Sequence, residues 1–175
     1  MEYLDMCDEE GNLTGIKISK NEAHEKGFWH RSVHIWIINS KNELLIQKRS
    51  PLMDSDPNKW DISVAGHVST GEDNITAALR EASEELGLGL SAEDFILIGT
   101  IQQKYARKGF INNEINPIYV VRMDLDLNNV KKQEEEVSEV KYISGVELKK
   151  IIDSKDTSFV SRPKEYELLF KYLKL

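Results

Sequence analysis

Residues 66–88 form the stretch GHVSTGEDNITAALREASEELGL, which carries most of the information in this chain. Between residues 74 and 86 the apolar side chains recur at helical spacing, and Gly87 follows where a helix would be capped. Three acidic residues occupy positions i, i+3 and i+4 of that segment: Glu81, Glu84 and Glu85. The sequence therefore predicts a helix over 74–86 that carries three carboxylates on one face.

Three like charges within one helical turn repel one another, and the cost falls when a divalent cation lies between them. Mg²⁺ prefers carboxylate oxygens and water, and it commonly bridges protein to phosphate. Bare carboxylates would repel an anionic diphosphate, whereas a cluster holding cations would polarise a phosphoryl oxygen and orient water. An isolated E-x-x-E-E segment is more often a solvated helix face. The spacing of the residues around it therefore has to distinguish a metal site from such a face.

The wider segment fits the pattern G-x5-E-x7-R-E-U-x-E-E-x-G-U, where U is an apolar residue. The matching residues are Gly66, Glu72, Arg80, Glu81, Ala82, Glu84, Glu85, Gly87 and Leu88. A chance match at the fixed positions has a frequency on the order of one in a million, given ordinary residue usage. The segment resembles the Nudix box, and the chain is similar to the Nudix hydrolases. That resemblance implies an α/β (α+β) fold, an α/β/α sandwich with a central mixed β-sheet.

The resemblance also implies roles for individual residues. The implied metal ligands are the carboxylates of Glu81, Glu84 and Glu85 and the backbone carbonyl of Gly66. Mg²⁺ is the implied cofactor, with Mn²⁺ as an alternative. Arg80 and Glu72 are expected to pair and fix the loop against the helix, while Ala82 and Leu88 are expected in the core.

A second resemblance covers more of the chain, from roughly Asp5 to Glu147. The segments WHRSVHIWIIN, LLIQKRS, NKWDISVAGHVSTGE, NEINPIYVV and EEVSEVKYI resemble the Nudix branch that includes isopentenyl-diphosphate isomerase. In that isomerase, histidines and acidic residues outside the helix hold a metal. The matching positions here are His30, His67, Glu114 and, less securely, His24. They are expected to form a second metal site or a substrate site, since imidazole and carboxylate together suit a divalent ion.

Two departures from the isomerase pattern affect the expected reaction. Ala65 stands where the isomerase has a catalytic cysteine, and Asn112 stands where it has another acidic ligand. A methyl group cannot give or take the proton that isomerisation requires. The sequence therefore favours hydrolysis of a diphosphate linkage in a small molecule, such as a nucleoside diphosphate derivative. Isomerase-like activity is the first alternative, and a non-catalytic nucleotide-binding module is the second.

The predicted catalytic residues are Glu84, Glu85 and Glu114, with Glu85 or Glu114 helping to deprotonate water. Glu136, in the acidic stretch QEEEVSEV, is a weaker candidate for the base. The predicted phosphate or substrate contacts are Arg31, Arg49 and Lys59, with Lys104 and Arg107 as further candidates. His34 is expected to be a strand residue with satisfied hydrogen bonds.

The segments before and after the Nudix box are predicted to form further strands and helices. An N-terminal hairpin is predicted over about residues 1–20. Further strands are predicted over 33–38, 43–49, 61–66, 95–101, 115–125 and 140–143, with a loop between the fourth and fifth that contains Lys104, Arg107 and Gly109. Helices are predicted over 145–153 and 163–173. The whole chain, 1–175, is predicted to be a single Nudix domain.

The charge, the cysteine content and the apolar runs of the chain limit which kinds of function it can have. The chain has 175 residues and a formal net charge of −7, with acidic residues scattered along it. This distribution argues against a duplex nucleic-acid partner, which would require clustered Lys and Arg. Cys7 is the single cysteine, so no internal disulfide framework exists. Without a membrane-spanning run or a signal-peptide pattern, a cytoplasmic location is expected. The oligomeric state is left open, with a homodimer among the options.

Overall fold

A computed structural model describes residues 2–175. Its strands are β1 Tyr3–Cys7, β2 Leu13–Ser19, β3 His30–Ile38, β4 Glu43–Arg49, β5 Trp60–Asp61, β6 Val64–His67, β7 Ile96–Arg107, β8 Phe110–Arg122 and β9 Val137–Ser144. Its helices are α1 Lys20–Lys26, α2 Asn74–Leu86, α3 Gly145–Asp153 and α4 Pro163–Leu173. Short 3-10 turns cover Ala92–Asp94 and Leu127–Asn129. No helix within the described residues is long and apolar enough to cross a bilayer.

Seven strands form the central sheet in the order β5-β4-β3-β8-β7, with β6 paired to β3 and β9 paired to β4. The β3 and β8 strands run parallel, whereas the other pairs in this sheet are antiparallel. The sheet is therefore mixed, as the sequence predicts. Strands β1 and β2 form a separate antiparallel hairpin.

The two faces of the sheet carry different helices because side chains alternate along each strand. Val33, Ile35 and Ile37 pack with the apolar face of α2. Trp36 and Ile38 point to the other face and pack with residues of α3 and α4. Fully burying an aliphatic side chain contributes roughly 1.5–3 kcal/mol, so these two clusters hold the three layers together.

Helix α2 has the bounds predicted from sequence. Asp73 caps its N-terminus by accepting a hydrogen bond from the backbone N–H of Thr76 at 2.7 Å. Gly87 ends it with φ of 67°, a left-handed conformation that costs glycine little. Ala82 and Leu88 are buried, as predicted.

Two predictions around the sheet were wrong in detail. The segment 61–66 is two short strands, because the Ser63 hydroxyl accepts from the backbone N–H of Ile37 and donates to the Leu45 carbonyl, which interrupts the ladder. Lys104 and Arg107 lie in β7 and not in a loop. Cross-strand pairing continues to the end of the hairpin, where Gly109 turns the chain with φ of 74°.

Helix α1 was missed by the sequence predictions. Its seven residues, KNEAHEK, lack the apolar periodicity that marks a helix. Local capping defines it, since Ser19 accepts from the Glu22 backbone N–H at 3.2 Å and Gly27 ends the helix in a left-handed conformation. This helix matters for the site because it carries His24.

Candidate active site and metal centre

Arg80 ties the loop after β6 to helix α2. Its guanidinium donates to both carboxylate oxygens of Glu72, each at 2.9 Å, and to the backbone carbonyl of His67 at 2.9 Å. Such a two-pronged arginine–carboxylate contact fixes orientation as well as distance. The predicted Arg80–Glu72 pair is confirmed, and it holds the residues after β6 beside the acidic face of α2.

The three helix glutamates differ in exposure. Glu85 is 2% exposed and Glu81 is 8% exposed, whereas the Glu84 side chain is half exposed. Arg80 Nη1 donates to Glu81 Oε1 at 2.7 Å and to Glu84 Oε2 at 3.1 Å. A single guanidinium therefore supplies local positive charge to two of the three carboxylates.

Burial and mutual repulsion perturb the buried carboxyls. Burial raises the pKa of Glu81 to about 7 in spite of Arg80, and the charges of Glu84 and Glu136 add to the increase. Burial, followed by the charges of Glu81 and Glu136, raises the pKa of Glu85 well above its usual range. Glu136 thus approaches the helix carboxylates from the loop before β9. Crowded oxygen donors with raised pKa values fit a hard divalent cation, which relieves the repulsion.

Gly66 lies directly against the Glu81 carboxylate. A Cβ atom at position 66 would collide with the carboxyl group of Glu81, so only glycine leaves room for it here. The Gly66 carbonyl accepts from Ser32 Oγ at 2.7 Å, and Gly66 pairs with Val33 in the β3–β6 ladder. The close approach of backbone and carboxylate is the arrangement that the predicted metal site requires.

We expect Gly66→Ala to displace the Glu81 carboxylate and to lower the free energy of unfolding by about 1–3 kcal/mol, the usual cost of overpacking. Urea denaturation measures this change. Adding Glu81→Ala should restore most of the lost stability, because the two effects share one contact. Gly89→Ala is the matched control, since a Cβ there meets no atom within 4 Å. Equal losses in the single and double variants would contradict the prediction.

Gln47 orients Glu85, and sequence reasoning missed it. Its side-chain nitrogen donates to Glu85 Oε2 and to the Ser63 carbonyl, while the Ala65 backbone N–H donates to Glu85 Oε1 at 3.4 Å. The sequence signal was an amide directly after the apolar residues 44–46 of β4. A buried carboxylate that is held at both oxygens has a fixed orientation.

We expect Mg²⁺ to stabilise the protein more as pH rises. The folded, metal-free protein binds an extra proton between the ordinary pKa of Glu81, 4.5, and its raised value of about 7. Its stability therefore falls as pH rises through that window. Mg²⁺ takes the deprotonated carboxylate, so the Mg²⁺-induced increase in Tm should be larger at about pH 8 than at about pH 5.

Thermal denaturation with and without Mg²⁺ at the two pH values measures this difference. Glu81→Gln should reduce it, because the variant has no proton to exchange at this position. Equal Mg²⁺-induced increases at both pH values in the unaltered protein would contradict the prediction.

A second cluster of candidate metal ligands lies on the face of the sheet opposite α2. The ring nitrogens of His24, His30 and His67 lie within 4.8 Å of one another. His67 Nε2 is 3.3 Å from His24 Nε2 and 3.5 Å from Glu114 Oε1. His30 Nε2 is 3.6 Å from the same Glu114 oxygen. The structure therefore brings together the predicted His30, His67 and Glu114 with His24, the less secure match.

The protonation of this cluster suits a metal ion. His30 Nδ1 lies 2.9 Å from the Phe28 carbonyl, so Nδ1 carries a proton, and Nε2 is the nitrogen directed at Glu114. That buried Nε2 has no hydrogen-bond partner among residues 2–175. Burial and the neighbouring histidines lower the pKa of His24 to about 4. Neutral imidazoles are the form that binds divalent ions.

Glu114 is ionised in this setting. Burial alone would raise its pKa, but the contacts with His30 and His67 hold it well below the usual range. Burial lowers the pKa of His67, while Glu114 opposes that shift. The cluster therefore combines three imidazole nitrogens with a carboxylate, a donor set that fits a divalent transition metal.

Both donor sets border one cavity of about 1450 Å³. The site residues that line it are Gly66, Glu81, Glu84, Glu136, His24, His67 and Glu114. Glu85 and His30 lie just behind this wall, since they are buried and contact residues that line it. One cavity can therefore present a ligand to both the carboxylate set and the histidine set.

Only one of the three basic residues first predicted to contact phosphate reaches this cavity. Arg49 lines it, as do the further candidates Lys104 and Arg107. Arg31 instead donates to the Glu72 carbonyl at 3.0 Å, and so supports the box loop. Lys59 forms an ion pair with Asp56 at 2.8 Å and does not line the cavity.

Comparison with known proteins agrees with this geometry. A family model described as the NUDIX domain matches residues 28–162. This chain belongs to the Nudix family. Members of the family are enzymes that act on pyrophosphate bonds, and they generally use divalent metal ions.

The Nudix relatives of this chain include hydrolases and isomerases. Nudix hydrolase 3 of Arabidopsis thaliana is 38% identical over 91% of this chain, which spans only 21% of the plant protein. Isopentenyl-diphosphate Delta-isomerase 1 of Photorhabdus laumondii is 35% identical over 71% of this chain and 70% of its own length. A crystal structure from Deinococcus radiodurans has a TM-score of 0.71 at 22% identity, covering 97% of this chain and 98% of that one, and supports the Nudix fold.

The two departures from the isomerase pattern lie at the cavity of this Nudix domain. Ala65 and Asn112 both line it. The Ala65 side chain offers no ionisable group, and its backbone N–H is directed at Glu85. Position 65, which matches the catalytic cysteine of the isomerase, therefore carries no side-chain group that can exchange a proton with a substrate carbon.

Proposed function

We propose that this Nudix domain hydrolyses a phosphoanhydride bond in a small-molecule diphosphate and requires Mg²⁺, with Mn²⁺ as an alternative. One observation carries the proposal. Three glutamates from one turn of α2 and Glu136 from the β9 loop converge beside a cavity, and burial and repulsion raise the pKa of two of them. Such a cluster is electrostatically costly unless cations share it.

The proposed metal ligands are Glu81, Glu84, Glu85 and the Gly66 carbonyl. A divalent ion at this position supplies Lewis-acid polarisation of a phosphoryl oxygen and lowers the pKa of bound water. Arg80 keeps Glu81 and Glu84 oriented, and Arg49 at the cavity wall binds substrate phosphate. These residues together position the diphosphate for attack on phosphorus.

Glu114 is the proposed proton acceptor for the attacking water. It lines the cavity and is ionised, so it can accept a proton directly. Glu85 is the alternative base, but its burial behind the cavity wall favours the role of metal ligand. The histidine cluster with Glu114 is proposed as a second metal site or a substrate site.

A hydrolysis panel tests the proposal. Purified protein is incubated with nucleoside di- and triphosphates, dinucleotides, nucleotide sugars and prenyl diphosphates, with Mg²⁺, Mn²⁺ or a chelator. We expect phosphate or pyrophosphate release from at least one class, lost on chelation. Absence of release from every class with either metal would refute the proposal.

An isomerase-like activity is the second candidate, and the histidine cluster with Glu114 is the observation that favours it. Ala65 is the main obstacle, for the reason given above. Incubation with isopentenyl diphosphate, followed by NMR, separates the two reactions. Isomerised product without phosphate release would favour the isomerase, and tight binding of a diphosphate without turnover would favour a non-catalytic module.

A further inference from the structure

The loop between β4 and β5, residues 50–59, folds back on Arg49, the last residue of β4. The Arg49 carbonyl accepts from the Asn58 backbone N–H at 3.2 Å. Asn58 and Asp56 have φ of 62° and 46°, left-handed conformations that short polar side chains tolerate. Residues 52–56 of this β4–β5 loop line the cavity, so the loop forms a wall of the cavity next to Arg49.

Ser55 of the β4–β5 loop holds the Arg49 side chain. Arg49 Nε donates to the Ser55 carbonyl at 2.9 Å, and Arg49 Nη2 donates to the Ser55 hydroxyl at 2.9 Å. Because these two nitrogens belong to one rigid, planar group, the paired contacts fix the rotation of the guanidinium. A third contact runs from Arg49 Nη1 to Asp61 Oδ2 at 3.3 Å. The guanidinium is therefore held by two residues from different segments.

Asp61 is a fixed acceptor because a second arginine holds it. Its side chain is 1% exposed, and Arg162 donates to it through Nε at 2.7 Å and through Nη2 at 2.9 Å. Burial alone would raise the pKa of Asp61, but Arg162 and Arg49 hold it at about 2. The carboxylate is therefore ionised and shared between two guanidinium groups.

His34 and Glu165 support Arg162 from the other side. His34 Nε2 lies 3.3 Å from Arg162 Nη1, and a guanidinium can only donate, so Nε2 accepts and Nδ1 donates to Glu165 at 2.8 Å. The prediction of satisfied hydrogen bonds for His34 is therefore confirmed. Glu165 also accepts from Trp36 Nε1 at 2.9 Å. Fully satisfied buried networks are rigid, so Asp61 is held in one position.

Arg49 retains donors that face no protein acceptor. A guanidinium has five N–H groups, and three of those on Arg49 donate to its two neighbours. Within residues 2–175 no acceptor receives the other two, and Arg49 lines the cavity. The other cations of this wall, Lys104 and Arg107, are exposed. A cation that is already held in place loses less conformational entropy when it binds an anion.

We propose that Ser55 and Asp61 are positioning residues for anion binding, because they hold Arg49 so that its two remaining N–H groups receive phosphoryl oxygens in the cavity. The inference rests on the proposed function, in which Arg49 binds substrate phosphate. Both residues act through Arg49, and the helix glutamates do not depend on them. Loss of the Ser55 hydroxyl should therefore weaken phosphate binding and leave the reaction step unchanged.

Calorimetric titration with inorganic pyrophosphate in the presence of Mg²⁺ tests the role of Ser55. Ser55→Ala should weaken binding about fivefold, because the guanidinium loses one of its charge-assisted contacts. Ser55→Thr keeps a hydroxyl and should stay within about twofold of the unaltered protein. Arg49→Lys should weaken binding about tenfold or more, because an ammonium group lacks the planar set of donors. Circular dichroism checks the fold of each variant.

The double variant Ser55→Ala/Arg49→Lys separates positioning from a general effect on the loop. If Ser55 acts through Arg49, the double variant should bind pyrophosphate within about twofold of Arg49→Lys alone. Ser40→Ala is the matched control, since Ser40 is exposed in the turn between β3 and β4, and it should bind within about twofold of the unaltered protein. Additive losses in the double variant, or a Ser55→Ala effect no larger than that of Ser40→Ala, would overturn the inference.

Asp61→Asn tests the second positioning residue. It should weaken pyrophosphate binding about fivefold or more, because an amide attracts the Arg49 guanidinium less than a carboxylate does. Thermal denaturation accompanies this variant, since the change also removes the buried charge that faces Arg162. If the variant does not fold, Ser55→Ala and the double variant still decide the inference.

The kinetic outcomes separate this inference from the proposed function. For a diphosphate that the hydrolysis panel shows to be cleaved, Ser55→Ala should raise KM about fivefold and keep kcat within about twofold. A lower kcat at unchanged KM would overturn the inference while hydrolysis itself stands. If nothing is hydrolysed, the proposed function fails and pyrophosphate binding still decides this inference. Absence of pyrophosphate binding to the unaltered protein would overturn it.

Discussion

Replacing Glu85 by Gln is expected to lower Mg²⁺-dependent hydrolysis at least about a hundredfold while leaving the fold intact. The amide keeps the volume of the side chain but loses the charge that a cation requires. Glu85 is 2% exposed and held by Gln47 and the Ala65 backbone, so the substituted amide stays in the position of the carboxylate. Initial rates over a range of Mg²⁺ concentrations measure the effect.

The fold of the variant is checked by circular dichroism and thermal denaturation. Because burial and nearby charges raise the pKa of Glu85, removing its charge should leave the metal-free protein as stable as before or more stable. Glu167→Gln on the exposed side of α4 is the matched control and should keep full activity. Full activity in purified Glu85→Gln would exclude Glu85 from the site.

Of the substitutions proposed, Arg162→Met should cause the largest loss in the free energy of unfolding, about 3–5 kcal/mol. The change leaves the buried carboxylates of Asp61 and Glu165 without the guanidinium that faces them at 2.7 and 3.9 Å. For a chain of this size, each kcal/mol lost from the free energy of unfolding lowers the Tm by roughly 2–4 °C, so the Tm should fall by about 6–20 °C. Urea and thermal denaturation both measure the change.

A second substitution distinguishes unpaired charge from lost packing. Asp61→Asn combined with Arg162→Met should recover part of the stability, because the amide carries no charge to leave unpaired. Arg122→Met is the surface control, since Arg122 is exposed, and it should change stability by less than about 0.5 kcal/mol. A loss in Arg162→Met no larger than in this control would show that the buried pair contributes little.

The box and its helix could be predicted from sequence because their determinants are local. The cap at Asp73, the left-handed Gly87 and the spacing of the glutamates all act within one segment. The Arg80–Glu72 pair spans eight residues and follows from the same motif. Such short-range interactions depend little on the rest of the chain.

Predicting the histidine cluster required the resemblance to the isomerase branch, and strand pairing in the sheet is what brings its residues together. His30 and Glu114 become neighbours through the parallel pairing of β3 with β8, and His67 joins through the pairing of β6 with β3. His24 arrives on α1, a helix without a periodic signal. Adjacent residues also point to opposite faces of the sheet, since His30 lies behind the cavity wall beside Glu114 whereas Arg31 supports the box loop on the other face.

The sequence by itself determined the family pattern, the bounds of α2 and the acidic face of that helix, because backbone propensity and capping act over a few residues. Only the tertiary structure decided which basic residue reaches the cavity and which polar residues line it. Asp61, Gln103 and Arg162 resemble surface residues when read singly. Asp61 and Arg162 become a buried ion pair beside the partly exposed Gln103 because strand pairing and the docking of α4 bring distant segments within hydrogen-bonding distance, where desolvation makes the pairing of the two charges obligatory.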